Sequence, residues 1–191
     1  FPIVTNAPNG IIAYREGASM AAADPWKIVI KGRQAHGSRP WDSIDPIMVA
    51  FQLGNNLQTI ISRKLDLRES PAVISVGSIH GGVRSNIIPD VVEMEGTIRT
   101  FDEAIRDQIF KEMTKIAEST AEMAGASVEM YLPNGQSYPV TFNDEDLTKR
   151  VLPSLTRIVG EEMIYRSERT TGAEDFSFFS QQVPGFYFFL G

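Results

Sequence analysis

Five polar side chains have the types and positions that chemistry would need. They are His36, Asn86, Arg99, Glu174 and Asp175. Near neutral pH a histidine can donate or accept a hydrogen bond, an asparagine can orient a carbonyl or carboxylate group, and an arginine can pair with a carboxylate through two parallel hydrogen bonds. An adjacent acidic pair could supply metal ligands or act in acid–base catalysis. None of them is decisive alone, and Arg99, on the polar face of a predicted strand, makes that face a candidate anion-binding surface.

Each candidate also has a structural interpretation that the sequence alone leaves open. His36 could be a surface or capping histidine, and Asn86, which precedes an apolar pair and a proline, is a typical turn residue. Arg99 could form an ion pair with Glu93 or Glu95 on the same face of a strand. The acidic pair could simply complement the dipole of a helix that it begins.

The composition excludes several classes of partner. The chain has 191 residues, of which 42% are hydrophobic and 22% are charged, so it is long enough for one sizeable core or for one domain and part of another. A net charge of -6 without a run of Lys or Arg argues against nucleic acid or an acidic membrane surface as the main partner. No apolar run approaches the roughly 20 residues of a membrane span, and no signal peptide is recognisable, so we expect a cytoplasmic protein.

Metal-binding residues are scarce in the sequence. It has no cysteine, which excludes disulfides and thiolate metal sites, and its two histidines, His36 and His80, stand far apart. It contains no H-x-x-x-H or H-x-D motif, no nucleophile elbow and no Gly-rich phosphate loop. We therefore expect the isolated chain to bind no stoichiometric metal ion.

The segments around His36 are predicted to place it on a loop between a strand and a helix. The residues of Trp26–Lys31 alternate as in a strand, and a loop rich in Gly, Ser and Pro follows. A helix then begins at Asp45-Pro46, where Asp suits the N-cap and Pro the first helical position. Such a loop on a rigid scaffold can present a side chain to a ligand.

The periodicities between residues 26 and 133 predict a ferredoxin-like βαββαβ unit. Its elements are, in order, a strand at Trp26–Lys31, a helix from Pro46 to about Arg63, strands at Ala72–His80 and Val91–Arg99, a helix from about Asp102 to Ala124 and a strand at Val128–Leu132. In this arrangement two helices cover one face of a four-stranded antiparallel sheet. The polar residues of the third strand would then face water or a ligand.

The remaining segments are too small to form a core alone. After residue 133 the sequence predicts a helix over Asp144–Gly160, a short helix after Gly172 and a strand over Phe186–Leu190. Pro153 is expected to kink or split the first of these helices.

We therefore assign residues 25–133 to one domain, and residues 1–24 and 134–191 to parts of a second domain into which the first is inserted. The chain begins at Phe1 rather than Met and stops directly after an apolar run. We expect it to be cut inside the second domain at both ends.

Motifs at four places along the chain resemble those of the M20 metallopeptidase family. They are Gly32–Pro40 (GRQAHGSRP) with Asp45-Pro46, Gly81-Gly82 with Asn86–Asp90 (NIIPD), Gly96–Phe101 (GTIRTF), and Gly172–Phe176 (GAEDF) with Val183–Gly185. The resemblance is closest to the amidohydrolase branch of hippurate hydrolases, N-acyl-amino-acid amidohydrolases and auxin-conjugate hydrolases. That family has a two-metal α/β catalytic domain, interrupted by a smaller ferredoxin-like dimerisation or lid domain, which agrees with the topology above.

The resemblance implies a role for each candidate residue. His36 resembles the lid histidine that reaches the active site of a dimer partner and stabilises the oxyanion of the tetrahedral intermediate. Asn86 and Arg99 resemble the lid groups that hold the carboxylate or backbone of the substrate. Glu174 and Asp175 match a motif near the active site, where they could support the site without binding a metal.

The resemblance also implies that the intact parent is a metal-dependent amidohydrolase or peptidase. Two divalent ions, zinc, manganese or similar, would activate a hydroxide for attack on the amide bond of an N-acyl amino acid or dipeptide, in a homodimer formed through the lid domain. Most of the family's metal ligands lie outside this chain, so the fragment alone is expected to be inactive. The alternative is a non-catalytic ferredoxin-like module for dimerisation or small-molecule binding.

Overall fold

The computed structural model describes residues 2–3, 7–68 and 70–191. In these residues the strands are, in chain order, β1 (Ile12–Tyr14), β2 (Gly17–Met20), β3 (Ala22–Lys31), β4 (Ala35–His36), β5 (Ala72–Gly81), β6 (Ile87–Ile88), β7 (Val91–Thr100), β8 (Ser127–Tyr131), β9 (Thr141–Asn143), β10 (Ile164–Arg166) and β11 (Phe188–Leu190). The α-helices are α1 (Pro46–Arg63), α2 (Glu103–Met123), α3 (Glu145–Val159) and α4 (Phe176–Ser180).

The chain divides into two compact units. We call Asp24–Ser137 the central unit, and Phe1–Ala23 together with Tyr138–Gly191 the flanking unit. That these units are the lid domain and part of the catalytic domain of a larger protein stays a prediction.

The central unit has the ferredoxin-like topology that the sequence predicts. Its sheet has the strand order β5-β7-β3-β8, and the β5–β7 and β3–β8 pairs are antiparallel. The predicted order of strands and helices is confirmed, with β3 beginning earlier than expected, at Ala22.

Local capping interactions fix where the two helices of this unit begin. The Asp45 carboxylate accepts hydrogen bonds from the backbone N–H groups of Ile47 (2.9 Å) and Met48 (3.3 Å), and Pro46 occupies the first helical position. Asp102 accepts a bond from the N–H of Ile105 (2.9 Å) in the same way. Because such a cap satisfies N–H groups that have no partner inside the helix, it contributes about 1 kcal/mol.

The core of the central unit lies between the helices and one face of the sheet. Its fully buried large residues are Trp26, Ile28, Ile30, Val92, Met94 and Ile98 on the strands and Val49, Leu53, Leu57, Ile60, Ile109 and Met113 on the helices. The strand residues are all even-numbered, which is the alternation that buries one face of a strand. Burying a side chain of this size contributes about 1.5–3 kcal/mol, so this layer holds the helices on the sheet.

Gly96 makes room for the largest residue of that core. A Cβ atom at this position would lie 2.4 Å from the ring of Trp26 and 1.9 Å from the carbonyl oxygen of Ser75. Any side chain would collide with both, so the glycine of the GTIRTF motif has a packing role.

The opposite face of the sheet is polar, as the alternation predicts. On β7 the side chains of Glu93, Glu95, Thr97 and Arg99 are all partly exposed there. The helices therefore leave this face open.

The flanking unit contains two small sheets. In one, β1 lies between β10, which is parallel to it, and β11, which is antiparallel. In the other, β2 pairs with β9. The buried amide of Asn143 donates to the carbonyl groups of Arg15 and Tyr187, at 2.7 Å each, and accepts the N–H of Tyr187 at 2.6 Å. This one side chain therefore ties together three segments that are distant in sequence.

Helix α3 runs through Pro153 without a break. Of the two predicted effects of this proline, the split is therefore wrong and the kink stays a prediction. Pro153 cannot donate a hydrogen bond to the carbonyl group of Lys149. Both residues are exposed, so water can satisfy that carbonyl and the helix continues to Val159.

Across residues 2–3, 7–68 and 70–191 we find no helix whose length and apolarity would let it cross a membrane.

Candidate functional site

His36 and Asn86 meet at a small two-stranded antiparallel sheet of the central unit, the β4–β6 sheet. His36 on β4 lies opposite Ile87 on β6, and the N–H of Gly37 donates to the carbonyl oxygen of Asn86 at 2.8 Å. The structure thus brings together two candidates that are fifty residues apart in the sequence. Gly37 allows the close approach, since a Cβ there would lie only 3.2 Å from the Asn86 carbonyl oxygen.

The His36 imidazole is exposed and is held by one neighbouring residue. Its Nδ1 accepts the backbone N–H of Ser38 at 3.1 Å, and the Ser38 hydroxyl lies 2.7 Å from the same nitrogen. Within the part of the chain that the structure describes, Nε2 has no hydrogen-bond partner. The ring therefore has one nitrogen engaged inside the loop and one available to a ligand.

A cavity of about 490 Å³ lies beside the β4–β6 sheet, within the central unit. Its lining includes Gly37, Ile87, Gly81 and Arg84. Since Gly81 pairs with Val92, the cavity marks the end of the sheet at which β7 begins.

Arg99 lies on the open face of the sheet, opposite Val73 of β5. The alternative interpretation paired it with Glu93 or Glu95, but Lys27 of β3 bonds to both, at 2.8 Å and 3.4 Å. The hydrogen bond to Glu93, helped by Glu95, raises the pKa of Lys27. Among the described residues the Arg99 guanidinium forms no hydrogen bond or ion pair, so the pairing that would make it purely structural is absent.

Arg99 lies near the end of β7, whereas His36, on β4, lies near the end of the sheet at which β7 begins. The cavity beside the β4–β6 sheet is also lined by Gly81, which pairs with Val92 of β7. Arg99 is seven residues further along β7 than Val92. At about 3.4 Å per residue, that is about 24 Å. The structure therefore groups His36 with Asn86 but leaves Arg99 apart from both.

Glu174 and Asp175 lie in the flanking unit, directly before α4. The Tyr187 hydroxyl donates to Glu174 at 2.7 Å, and the N–H of Asp175 bonds to the same carboxylate at 3.1 Å. The bond from Tyr187 holds the pKa of Glu174 below its usual range, whereas the adjacent Glu174 raises the pKa of the exposed Asp175. Burial, followed by the bond to Glu174, raises the pKa of Tyr187. Glu174 therefore anchors the start of α4.

The described residues do not fit a metal centre. No three His, Cys, Asp or Glu side chains among residues 2–3, 7–68 and 70–191 are grouped so that they could hold an ion.

The sequence analysis did not identify two residues that bond to the candidate residues or to their neighbours, although each leaves a signal in the sequence. Lys27 alternates with the buried Trp26 and Ile28, which places it on the same face as the glutamates of β7. Ser38 stands two residues after His36, a spacing at which a side chain commonly bonds to a neighbour's backbone.

The fold and these residues agree with a known family. Residues 23–123, just over half of the chain, match the model of the M20 peptidase dimerisation domain. The chain belongs to this family. It is also 41% identical to "thermostable carboxypeptidase 2" of Saccharolobus solfataricus, over 99% of this chain and 47% of that protein. With N-acetylcysteine deacetylase of Bacillus subtilis it shares 36% identity, over 96% of this chain and 47% of the relative.

A solved M20 structure has the same fold. It is a dinuclear metal-binding peptidase from Bacillus subtilis, which superposes with a TM-score of 0.77 at 31% identity, covering 99% of this chain and 46% of its own. The M20 resemblance drawn from the four motifs is therefore confirmed. The chain spans about half the length of these relatives.

Proposed function

We propose that the whole protein to which this M20 chain belongs hydrolyses the amide bond of N-acyl amino acids or dipeptides. In this proposal the central unit is a dimerising lid that supplies contacts to the substrate. The observation that carries it is that the central unit holds both an exposed His36 and an Arg99 with no ion-pair partner among the described residues, since these groups suit a developing oxyanion and a carboxylate. The names of the relatives, a carboxypeptidase and a deacetylase, support the same reaction class.

His36 stabilises the oxyanion that forms when the amide carbonyl is attacked. Because Nδ1 accepts a backbone N–H, the neutral ring carries its proton on Nε2, the nitrogen that is free. An N–H donor aimed at developing negative charge lowers the barrier without strengthening substrate binding equally. Asn86, held beside His36, would orient the substrate through its side-chain amide.

Arg99 fixes the carboxylate of the substrate. Its guanidinium can form two parallel hydrogen bonds to a carboxylate, which orients as well as attracts it. Lys27 supports this role by occupying the two nearby glutamates, which would otherwise compete with the substrate for Arg99.

The two groups come from different protomers of a homodimer. In an N-acyl amino acid the reacting carbonyl carbon and the carboxylate carbon are separated by three bonds, about 4 Å. Arg99 is about 24 Å along β7 from Val92, the end of the strand beside the β4–β6 sheet that carries His36. Side chains on a strand stand roughly perpendicular to the sheet. One lid therefore cannot present both to one substrate, so we assign Arg99 to the protomer that binds the substrate and His36 with Asn86 to its partner.

The edge of the sheet supports the formation of this dimer. Among the described residues the ten-residue β5 pairs with β7 alone, and it exposes Val73 and Ile79. The neighbouring α1 exposes Met48 and Phe51. A long edge strand with exposed apolar residues is a template for pairing with another chain.

The metal ions of the proposed hydrolase would be held by residues outside the described part of this chain, and they would supply the activated water. If the full-length protein, supplied with zinc or manganese, hydrolyses no N-acyl amino acid or dipeptide from a broad panel, a non-catalytic dimerisation or binding module becomes the better account.

Arg99→Ala tests the assignment in the full-length protein. We expect kcat/KM to fall by about 10–100-fold for substrates with a free carboxylate, because a charge-assisted pair worth about 1.5–3 kcal/mol is lost, and to change little for the matching carboxylate-free amides. Steady-state kinetics on both substrate series measure the difference. Lys31→Ala, which removes another cation from the sheet, is the control. Equal losses for the two series would return Arg99 to a structural role.

A further inference from the structure

The loop that carries His36 is ordered by its own hydrogen bonds. The N–H of Gly37 donates to the Asn86 carbonyl, and the N–H of Arg39 donates to the His36 carbonyl, both at 2.8 Å. These bonds fix the backbone on both sides of Ser38. The position of Ser38 relative to the imidazole is therefore set by the loop rather than by chance contact.

The backbone N–H and the hydroxyl of Ser38 both lie within hydrogen-bond distance of Nδ1 of His36. The backbone N–H lies 3.1 Å from Nδ1, and the hydroxyl lies 2.7 Å from that atom. A backbone N–H can only donate, so Nδ1 must accept, and in the neutral ring the proton then resides on Nε2. The hydroxyl can donate to Nδ1 or accept from it, so it holds the ring in place in either tautomer, and the backbone N–H selects between the two.

The alternative tautomer would be unproductive. With the proton on Nδ1, Nε2 would present a lone pair to the site, and a lone pair repels an oxyanion. A neutral histidine has a single N–H, so the choice of nitrogen decides whether the ring can help at all.

We propose that Ser38 is a positioning residue: its backbone N–H holds His36 in the tautomer with the proton on Nε2, and its hydroxyl, bonded to Nδ1, fixes the orientation of the ring. The functional consequence rests on the proposed role of His36 as an oxyanion donor. The tautomer itself does not depend on that role, so the two can be tested separately.

The tautomer is read directly by ¹⁵N NMR of the full-length protein with labelled histidine rings. The signals of His36 are those that disappear in His36→Gln. In the wild type we expect Nδ1 to have the shift of an unprotonated, acceptor nitrogen and Nε2 that of a protonated one. In Ser38→Pro, which removes the N–H, we expect both shifts to move towards a mixture of tautomers. In Ser38→Ala, which keeps the N–H and loses the hydroxyl, and in Ser38→Thr we expect them to stay close to those of the wild type.

Kinetics on the same variants supply the second measurement. We expect kcat to fall by about 3–10-fold in Ser38→Ala, the effect of one lost hydrogen bond, with KM unchanged and with recovery in Ser38→Thr. A protonated Nδ1 in the wild type, a Ser38→Pro protein with wild-type shifts, or a Ser38→Ala protein with wild-type kcat would overturn the proposal. A wild type that hydrolyses no substrate would refute the proposed function, while the NMR result would still decide the role of Ser38.

Discussion

Replacing His36 by alanine in the full-length protein is expected to lower kcat for an N-acyl amino acid by about 10²–10³-fold. The loss is this large because the oxyanion would lose a fixed donor at the moment when charge develops on it. KM should change little, since the oxyanion does not exist in the bound ground state. The imidazole is exposed, and among the described residues its hydrogen bonds go to Ser38 alone, so melting temperature and metal content should stay as in the wild type.

The chain provides a matched control in its other histidine. His80 is also exposed, and it lies on β5 opposite Glu93, in the four-stranded sheet rather than in the β4–β6 sheet. His80→Ala should therefore keep nearly full kcat. If His36→Ala loses stability in step with activity, or if both variants lose activity equally, His36 is a structural residue.

Replacing Arg106 by leucine is expected to destabilise the central unit by about 3–5 kcal/mol. The Asp24 carboxylate is completely buried, and Arg106 of α2 binds it through two hydrogen bonds, at 2.8 Å and 2.6 Å. The Ser137 hydroxyl bonds to the same carboxylate. The pair with Asp24 raises the pKa of Arg106. Without the guanidinium a buried charge would lose its counter-charge, which is the costliest way to break an ion pair.

Hydrogen exchange of the full-length protein, followed in peptides from β3 and α2, measures this effect within the central unit alone. Exchange there should accelerate by more than about 100-fold, because each 1.4 kcal/mol is a factor of ten. Lys31→Ala is the control, since the Lys31–Glu129 pair is about half-exposed and should contribute less than about 1 kcal/mol. In Asp24→Asn/Arg106→Leu much of the protection should return. Unchanged exchange in Arg106→Leu would show that the buried carboxylate does not need this partner.

The elements that the sequence predicts well are those whose signals are local. Both bounds of α1 agree with the prediction, because Asp45, Pro46 and the apolar periodicity all lie within the helix or directly beside it. The polar face of β7 follows in the same way from simple alternation. Local signals of this kind suffice to predict the ferredoxin-like topology.

The features that escape prediction depend on partners far away in the chain. Strands β2 and β9 are four and three residues long and find each other across more than a hundred residues, so neither has a pattern of its own. The same holds for Asp24, whose charge among the apolar residues at the start of β3 is a visible signal, although nothing in the sequence identifies Arg106 as its partner. Likewise, Arg99 lacks an ion pair with Glu93 or Glu95 because Lys27, from another strand, binds both glutamates.

The central claim is that His36 and Arg99 of different protomers complete one site. Full-length His36→Ala and Arg99→Ala proteins, carrying different affinity tags, can be co-expressed and their mixed dimers isolated by two successive purifications. In a mixed dimer one site receives the intact Arg99 of the first protein and the intact His36 of the second, and the other site receives both substitutions.

Turnover of a carboxylate-bearing substrate by these mixed dimers is the decisive measurement. The account predicts about half of the wild-type activity per dimer, far above either variant homodimer, because one of the two sites is complete. If both residues act within one protomer, or if both act across the interface, every site in the mixed dimer carries one substitution. Activity no higher than that of the variant homodimers would therefore contradict the account.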